Sequence, residues 1–195
     1  GRRKTPLIMG HEASGEIAEI GSEVQGWQIG DRVTFDSTIY YLDDWYTRKG
    51  RYNLSDNRKV LGVSPMEYKK HGAFAEYVSM PAHILYKLPV DVSFEQAAMV
   101  EPVAVAAHAV NVSKIQPGKS AVVIGVGMVG VFVVKMLQIA GANPIIAVDL
   151  DENKLELAKE FGATHTFKSS EKGVSEKVFE LTKNRGADFG FEVVG

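Results

Sequence analysis

The chain has 195 residues, 45% hydrophobic and 24% charged, with a formal net charge of −2. This composition can bury a core, and the length suits one large domain or two smaller ones. The charge gives no sign of a nucleic-acid surface, and no apolar run is long enough to span a bilayer. No leader is visible, so we expect a cytoplasmic protein. Because cysteine is absent, any metal held by these residues must be bound through His, Asp or Glu.

Residues 7 to about 90 have the alternation and turn residues of short β-strands. The strand-like pieces, separated by glycine or proline, are GEIAEIG, QGWQIGDRV, GAFAEYVSM and ILYKLP. Many short strands of this kind predict a small antiparallel barrel. The interval 36–70 is polar and tyrosine-rich without a clear period, which predicts a long surface loop or lobe.

Helical signals begin after residue 90. Ser93 and Gln96 have the spacing of a capping box, which predicts a short helix over 93–100. Glu101–Pro102 opens a second helix that ends near QPG, because proline suits a first helical turn. Strands and helices then alternate to the end of the chain. Fully apolar strands such as AVVIGV and IIAVDL predict a parallel sheet covered on both faces.

A histidine and a glutamate stand side by side in the otherwise apolar stretch LIMGHEASGEIAEIG. Adjacent side chains of a regular strand point to opposite faces. His11 and Glu12 can therefore bind one ion only where the backbone departs from strand geometry. Gly10 allows such a departure at little cost in conformational energy, because glycine lacks a Cβ. Without further residues the pair is either a hydrogen-bonded structural feature or part of a metal site.

The segment GVGMVG directly follows a predicted strand and opens a predicted helix, which is the context of a dinucleotide-binding fingerprint. Gly125 permits the tight turn, Gly127 lets the backbone approach a pyrophosphate, and Gly130 lets helix and strand pack closely. The helix N-terminus offers N–H groups and a positive dipole end to the phosphates. The predicted cofactor-binding residues of this loop are Gly125, Val126, Gly127, Met128, Val129 and Gly130.

Asp149 ends the next predicted strand, where an acidic residue accepts hydrogen bonds from the ribose hydroxyls of the cofactor. Its negative charge would oppose a 2′-phosphate, so we expect NAD rather than NADP. Lys154 is placed to reach the same ribose, although a solvated helix lysine is an equally good reading. The alternative interpretation of GVGMVG and Asp149 is purely structural: a glycine-rich turn that binds no ligand.

The order of GHE, GDRV, GAFAEY, Glu101–Pro102 and GxGxxG with Asp149 resembles the zinc-containing medium-chain dehydrogenases. The chain is most similar to their sorbitol (polyol) dehydrogenase branch. The resemblance implies an α/β protein with a GroES-like catalytic barrel over 1–100. A Rossmann domain with a doubly wound parallel sheet would follow over 101–195. Both domains are expected to be partial, because the family's members extend on either side of this chain.

The resemblance also implies the residues of a catalytic zinc site. His11 matches the zinc-binding histidine. Glu12 matches a glutamate that lies mainly behind the ion in alcohol dehydrogenases and binds zinc directly in the sorbitol branch, and we favour direct binding. Glu101 would bind zinc directly or through the metal-bound water; its structural alternative is a carboxylate that stabilises a helix N-terminus. One imidazole with carboxylates suits zinc that keeps an open position for substrate. The family's further ligand, a cysteine, is expected in a preceding segment.

A second zinc is not expected. Many family members hold a structural zinc with four cysteines, and the corresponding positions here are Tyr41, Asp44, Thr47 and Ser55. These side chains cannot form a tetrahedral thiolate site. The other histidines, which we interpret as structural or surface residues, are His71, His83, His108 and His165.

The function implied by the resemblance is NAD-linked oxidation of a secondary alcohol, a polyol or sugar alcohol, to a ketone, with hydride passing to the nicotinamide. The partner is a small-molecule substrate, with neither nucleic acid nor membrane, and the full-length enzyme is expected to be a homodimer or homotetramer. The same machinery could act on threonine, a butanediol or a sugar-alcohol phosphate. A zinc-free quinone or enone reductase and an inactive nucleotide-binding fragment are the alternatives of other classes.

Overall fold

The computed structural model describes residues 6–63 and 70–194, and the chain divides into two compact units, Gly1–Glu101 and Pro102–Gly195. In the described residues no helix is both long and apolar enough to cross a membrane. The first unit contains an antiparallel sheet of three strands in the order β1–β2–β5. These strands are β1 (Ser14–Glu16), β2 (Arg32–Phe35) and β5 (Leu85–Lys87). Ser14 is paired with Thr34 and Phe35 with Leu85.

The strands of the first unit are shorter than the sequence predicts. GEIAEIG contributes only its first residues to β1, and residues 72–80 form no strand although all of them are described. The segment 72–74 instead donates single backbone hydrogen bonds to Ile8, Met9 and Gly10. Its branched and aromatic composition predicted a strand, but this contact with an irregular segment forms no regular ladder.

The interval 36–70 is a lobe with small elements of its own, and its residues 64–69 lie outside the described part of the chain. It contains strand β3 (Thr38–Ile39), helix α1 (Trp45–Arg48), a 3-10 turn (Tyr52–Leu54) and strand β4 (Lys59–Val60). β3 pairs with β4. Ile39 and Leu61 are buried together with Phe35 and Ile84 in the core of this unit. Elements of two to four residues are too short to show a period in the sequence.

Two helices follow, α2 (Phe94–Ala98) and α3 (Val100–Ser113). The capping box is present as predicted: the Ser93 side chain accepts from the Gln96 N–H, and the Gln96 side chain accepts from the Ser93 N–H. A single residue, Met99, separates the helices, and α3 begins one residue earlier than predicted.

The second unit contains a parallel sheet of four strands: β6 (Ala121–Ile124), β7 (Ile145–Asp149), β8 (His165–Lys168) and β9 (Phe189–Glu192). Their order in the sheet is β8–β7–β6–β9. The helices that follow α3 are α4 (Met128–Ile139), α5 (Glu152–Glu160) and α6 (Val174–Leu181). Helix α4 packs on β6 and β7, and helix α5 packs on β7 and β8. The predicted α/β fold of an antiparallel unit followed by a Rossmann-type sheet is confirmed.

Candidate functional site

A junction of three glycines sets the path of the backbone just before His11. Gly10 has a φ of +99°, a conformation that side-chain-bearing residues rarely adopt. A Cβ at Gly72 would lie 2.1 Å from the Gly10 carbonyl oxygen, and one at Gly62 would lie 2.6 Å from the Gly10 nitrogen. The chain can therefore turn out of strand geometry here only because three segments meet without side chains. Gly62 and Gly72 were missed in the sequence, where nothing links them to Gly10.

The structure brings His11, Glu12 and Glu101 together in the first unit. His11 Nε2 lies 4.0 Å from Glu12 Oε1 and 3.8 Å from Glu101 Oε1. One ligand atom from each residue can be chosen so that all three atoms lie within 4.8 Å of one another. Their side chains are 33%, 38% and 23% exposed, respectively, so the cluster is accessible without being fully solvated. These distances suit an ion placed between the three groups.

Burial is the main influence on the Glu101 carboxyl, and it raises the pKa of that group. The positive charge of a protonated His11 acts against this effect, while the negative charges of Glu12 and Asp36 add to it. Carboxylates held close together in a partly buried place repel one another unless a cation neutralises them. The chemistry of this donor set, one imidazole and two carboxylates, fits a divalent cation such as zinc.

The nucleotide motif forms the turn between β6 and α4. Gly125 has a φ of +85°, and a Cβ there would lie 2.8 Å from Val194 Cγ2. A Cβ on Gly130 would lie 2.0 Å from the Gly125 oxygen, so this glycine allows the helix to pack against the strand. A Cβ on Gly127 would meet nothing within 4 Å. Gly127 also begins α4 without a side-chain cap, so the helix N-terminus faces open space, as a phosphate site requires.

Within this turn the flanking residues differ in exposure. Val126 is buried, Val129 is half-buried and Met128 is exposed. Two further apolar side chains lie exposed at the carboxyl ends of strands beside the motif, Leu150 at 70% and Val194 at 69%. Exposed apolar groups at this edge of a parallel sheet can cover a nucleotide base. The sequence did not single them out, because each simply extends an apolar strand.

Asp149 holds the turn between β6 and α4 in place, a role that the sequence did not predict. Its Oδ2 accepts a hydrogen bond from the Val126 N–H at 2.8 Å, and its Oδ1 accepts one from the Asp151 N–H at 3.0 Å. Lys154 Nζ lies 3.9 Å from the same Oδ1. Burial would raise the pKa of Asp149, but the backbone N–H groups of Asp151, Val126 and Leu150, together with Lys154, outweigh burial and lower the pKa. The carboxylate stays charged and keeps lone pairs for ribose hydroxyls.

Among the four positions that match the cysteines of a structural zinc site, Asp44 carries the one ionised donor. Its carboxylate already accepts from the N–H groups of Tyr46, Thr47 and Asp56. These bonds, led by the one from Asp56, lower the pKa of Asp44 against a smaller opposing effect of burial. Ser55 is buried, and its hydroxyl oxygen accepts from the Tyr41 N–H. The donor set does not fit zinc, and hydrogen bonds to Asp44 connect the two halves of the lobe.

The remaining histidines lie outside both clusters. His71 Nδ1 accepts from the Ile8 N–H, His83 Nε2 lies 3.1 Å from the Tyr40 oxygen, and His165 Nδ1 lies 2.9 Å from Thr164 Oγ1. His108 is exposed on α3. Their interpretation as structural or surface residues stays a prediction.

Two family models match this chain, one in each of its two units. The family model described as the alcohol dehydrogenase GroES-like domain matches residues 1–90, and the one described as zinc-binding dehydrogenase matches residues 128–195. An antiparallel unit followed by a Rossmann-type sheet is the arrangement of the alcohol dehydrogenase class. The chain belongs to the zinc-containing medium-chain dehydrogenase family, in its sorbitol dehydrogenase-like branch.

Three relatives illustrate the similarity. The chain is 36% identical to sorbitol dehydrogenase of Bacillus subtilis over 97% of its length and 53% of that protein. It is 38% identical to D-xylulose reductase of Saccharomyces cerevisiae over 98% of its length and 54% of that protein. The crystal structure of 2R,3R-butanediol dehydrogenase from Bacillus subtilis superposes with a TM-score of 0.85 at 38% identity, covering 99% of this chain and 53% of that one. The chain thus spans about half the length of the relatives it matches.

Proposed function

We propose that this chain provides the zinc and NAD sites of an enzyme that oxidises a secondary alcohol of a polyol to a ketone. The observation that carries the proposal is the convergence of His11, Glu12 and Glu101, whose ligand atoms lie within 4.8 Å of one another. Relatives named sorbitol dehydrogenase and D-xylulose reductase support a polyol or sugar alcohol as substrate. Residues 1–100 would be the catalytic part and residues 101–195 the NAD-binding part.

The chemistry of the first site follows from its donor set. His11, Glu12 and Glu101 would hold a zinc ion, which supplies a Lewis acid that lowers the pKa of a coordinated hydroxyl. Glu12 has the most exposed side chain of the three, so its carboxylate is best placed to pass the hydroxyl proton to water. The glycine junction at Gly10 would keep the side chains of His11 and Glu12 directed toward the proposed zinc position.

The second site would hold the cofactor that accepts the hydride. The turn at Gly127 and the N-terminus of α4 would bind the pyrophosphate through backbone N–H groups. Asp149 would accept hydrogen bonds from the ribose hydroxyls and disfavour a 2′-phosphate, and Lys154 would reach the same sugar. The NAD preference and the individual roles of these residues are proposals that rest on the positions described above.

One further substrate has specific support. The butanediol dehydrogenase of Bacillus subtilis is as similar to this chain as the polyol enzymes are. A vicinal diol and a polyol share the secondary alcohol beside a second hydroxyl, so the same donors could bind either. A homodimer or homotetramer in the cytoplasm stays a prediction, and light scattering on the purified protein tests its oligomeric part.

The test combines binding with turnover. The purified full-length protein is titrated with zinc and with NADH, and alcohol-dependent NADH formation is assayed with sorbitol, xylitol and 2,3-butanediol. We expect zinc binding that His11→Ala abolishes, NADH binding that survives this substitution, and turnover that needs both ligands. NADH binding without any zinc binding would reject the dehydrogenase proposal in favour of a nucleotide-binding role.

A further inference from the structure

The two segments that carry the metal donors are joined by hydroxyl groups from the small antiparallel sheet. His11 and Glu12 come just before β1, and Glu101 comes just after α2 and Met99. Ser14 on β1 and Thr34 on β2 are paired directly across the sheet, so their side chains lie on the same face. That face is the one on which α2 lies.

Both hydroxyls donate hydrogen bonds to carbonyl groups of α2. Ser14 Oγ lies 2.6 Å from the Phe94 oxygen, and Thr34 Oγ1 lies 3.4 Å from the Ala97 oxygen. Phe94 and Ala97 are three residues apart and therefore lie on one side of the helix. Since Thr34 has one hydroxyl proton, its contact with Ala97 is the longer arm of a bifurcated hydrogen bond, and the Ser14 bond is the shorter of the two contacts with α2.

Thr34 also reaches the other segment. Its Oγ1 lies 3.0 Å from the Ala13 oxygen, and Ala13 directly follows Glu12. A single buried hydroxyl, on a residue only 6% exposed, therefore contacts both the segment of His11 and Glu12 and the helix that leads to Glu101. A shift of either segment would break one of its contacts.

Arg32 contacts the segment that precedes α2 and the first residue of that helix. Its guanidinium donates to the carbonyl oxygens of Pro89, Val90 and Val92, and its Cζ lies 4.6 Å from the centre of the Phe94 ring. The segment before α2 is therefore anchored to β2, and the hydroxyls of Ser14 and Thr34 provide further contacts between α2 and the sheet.

We propose that Thr34, with Ser14, is a positioning residue of the metal site, because its hydroxyl sets the separation between the His11–Glu12 segment and Glu101. The proposal rests on the proposed function, since it assigns these residues a task in zinc binding. Neither residue would touch the ion or the substrate. Groups hydrogen-bonded directly to metal ligands change metal affinity by about 10- to 100-fold when removed. Thr34 and Ser14 contact the neighbouring backbone rather than the ligands, so we expect the lower end of that range.

The experiment compares zinc affinity, measured by chelator competition, and the visible absorption spectrum of the Co²⁺-loaded chain. Thr34→Val removes the hydroxyl at nearly constant volume, Thr34→Ser keeps it, and Ser14→Ala removes the second contact. Thr182→Val is the matched control: Thr182 is also 6% exposed and donates to two carbonyls, those of Val178 and Phe179, in the other unit. Thermal unfolding of each metal-free variant reports its stability.

We expect Thr34→Val and Ser14→Ala each to weaken zinc binding by about tenfold. Both should alter the Co²⁺ spectrum at saturation, with Thr34→Ser restoring affinity and spectrum. Thr182→Val should lower stability without changing either readout. Wild-type affinity and spectrum in folded Thr34→Val, or an equal loss in Thr182→Val, would overturn the proposal. If Thr34→Val does not fold, Ser14→Ala decides by the same criteria. A wild-type chain that binds no zinc rejects the proposed function, and this inference with it.

Discussion

Glu101 Oε1 lies 3.8 Å from His11 Nε2, although His11 precedes the first strand and Glu101 lies in the first turn of α3, after the last strand of the same unit. A glycine junction turns the chain at Gly10 just before His11, and hydroxyls of the sheet donate hydrogen bonds to α2, the helix that precedes Glu101. A structural carboxylate at a helix N-terminus has no need for such an imidazole partner. The relationship therefore favours a metal site over a helix-stabilising role for Glu101.

Gly127 and Gly130 should respond in opposite ways to the addition of one methyl group. In Gly130→Ala the Cβ would lie 2.0 Å from the Gly125 oxygen, so helix and strand must separate. We expect a loss of about 1–3 kcal/mol in the free energy of unfolding, measured by urea denaturation. In Gly127→Ala the Cβ enters open space, so stability should change little while NADH affinity, measured by fluorescence titration, falls. Unchanged NADH affinity in Gly127→Ala would contradict the assignment of this turn as the phosphate site.

Asp149→Asn tests the preference between cofactors. The amide keeps an oxygen that can accept from Val126 but loses the charge that opposes a 2′-phosphate. Since hydrogen bonds to charged groups contribute about 1.5–3 kcal/mol, we expect NADH to bind at least about tenfold more weakly. NADPH should lose less or gain, so the ratio of the two dissociation constants moves toward NADPH. A constant ratio in competition titrations would show that Asp149 serves only to hold the turn.

Asp44→Ala should loosen the lobe, because three backbone N–H groups lose their acceptor. Loss of a helix N-cap alone costs about 1 kcal/mol, and the bond to Asp56 adds to it. We expect faster hydrogen exchange at Tyr46, Thr47 and Asp56 and faster tryptic cleavage after Arg48. The neighbouring Asp43 is exposed, so Asp43→Ala is the matched control and should leave both readouts unchanged. Wild-type exchange that accelerates on adding EDTA would mean that a metal, rather than Asp44, organises the lobe.

Asp188 makes the stability of the second unit depend on acid pH. Its carboxylate accepts from the Ser120 hydroxyl and N–H and lies near Lys119, which lowers the pKa to about 2. In the unfolded chain the pKa of an aspartate is about 3.9. A lowered folded-state pKa stabilises the folded form fully above the unfolded value, and this contribution disappears as pH falls toward about 2. Asp188→Asn should therefore flatten the stability profile between about pH 4 and 2, as followed by urea unfolding. An unchanged slope would contradict the role of these bonds.

The sequence allowed the fold class, the capping box at Ser93 and the nucleotide turn to be predicted, because each depends on local patterns. Fully apolar strands and glycine spacing are visible in any stretch of about ten residues. Gly62, Gly72 and Thr34 were not predicted, since their importance comes from segments that meet only in the folded chain. The missing strand over 72–80 has the same cause: its composition suits a strand, but its neighbour in space is irregular.

The measurement that tests the central claim most directly is the number of zinc ions bound by the purified chain, determined by elemental analysis after dialysis. We expect about one zinc per chain, held by the donor cluster of His11, Glu12 and Glu101, and none in His11→Ala. His108→Ala, which removes an exposed histidine, should retain the ion. No zinc in the wild-type chain, or zinc that remains in His11→Ala, would contradict the account.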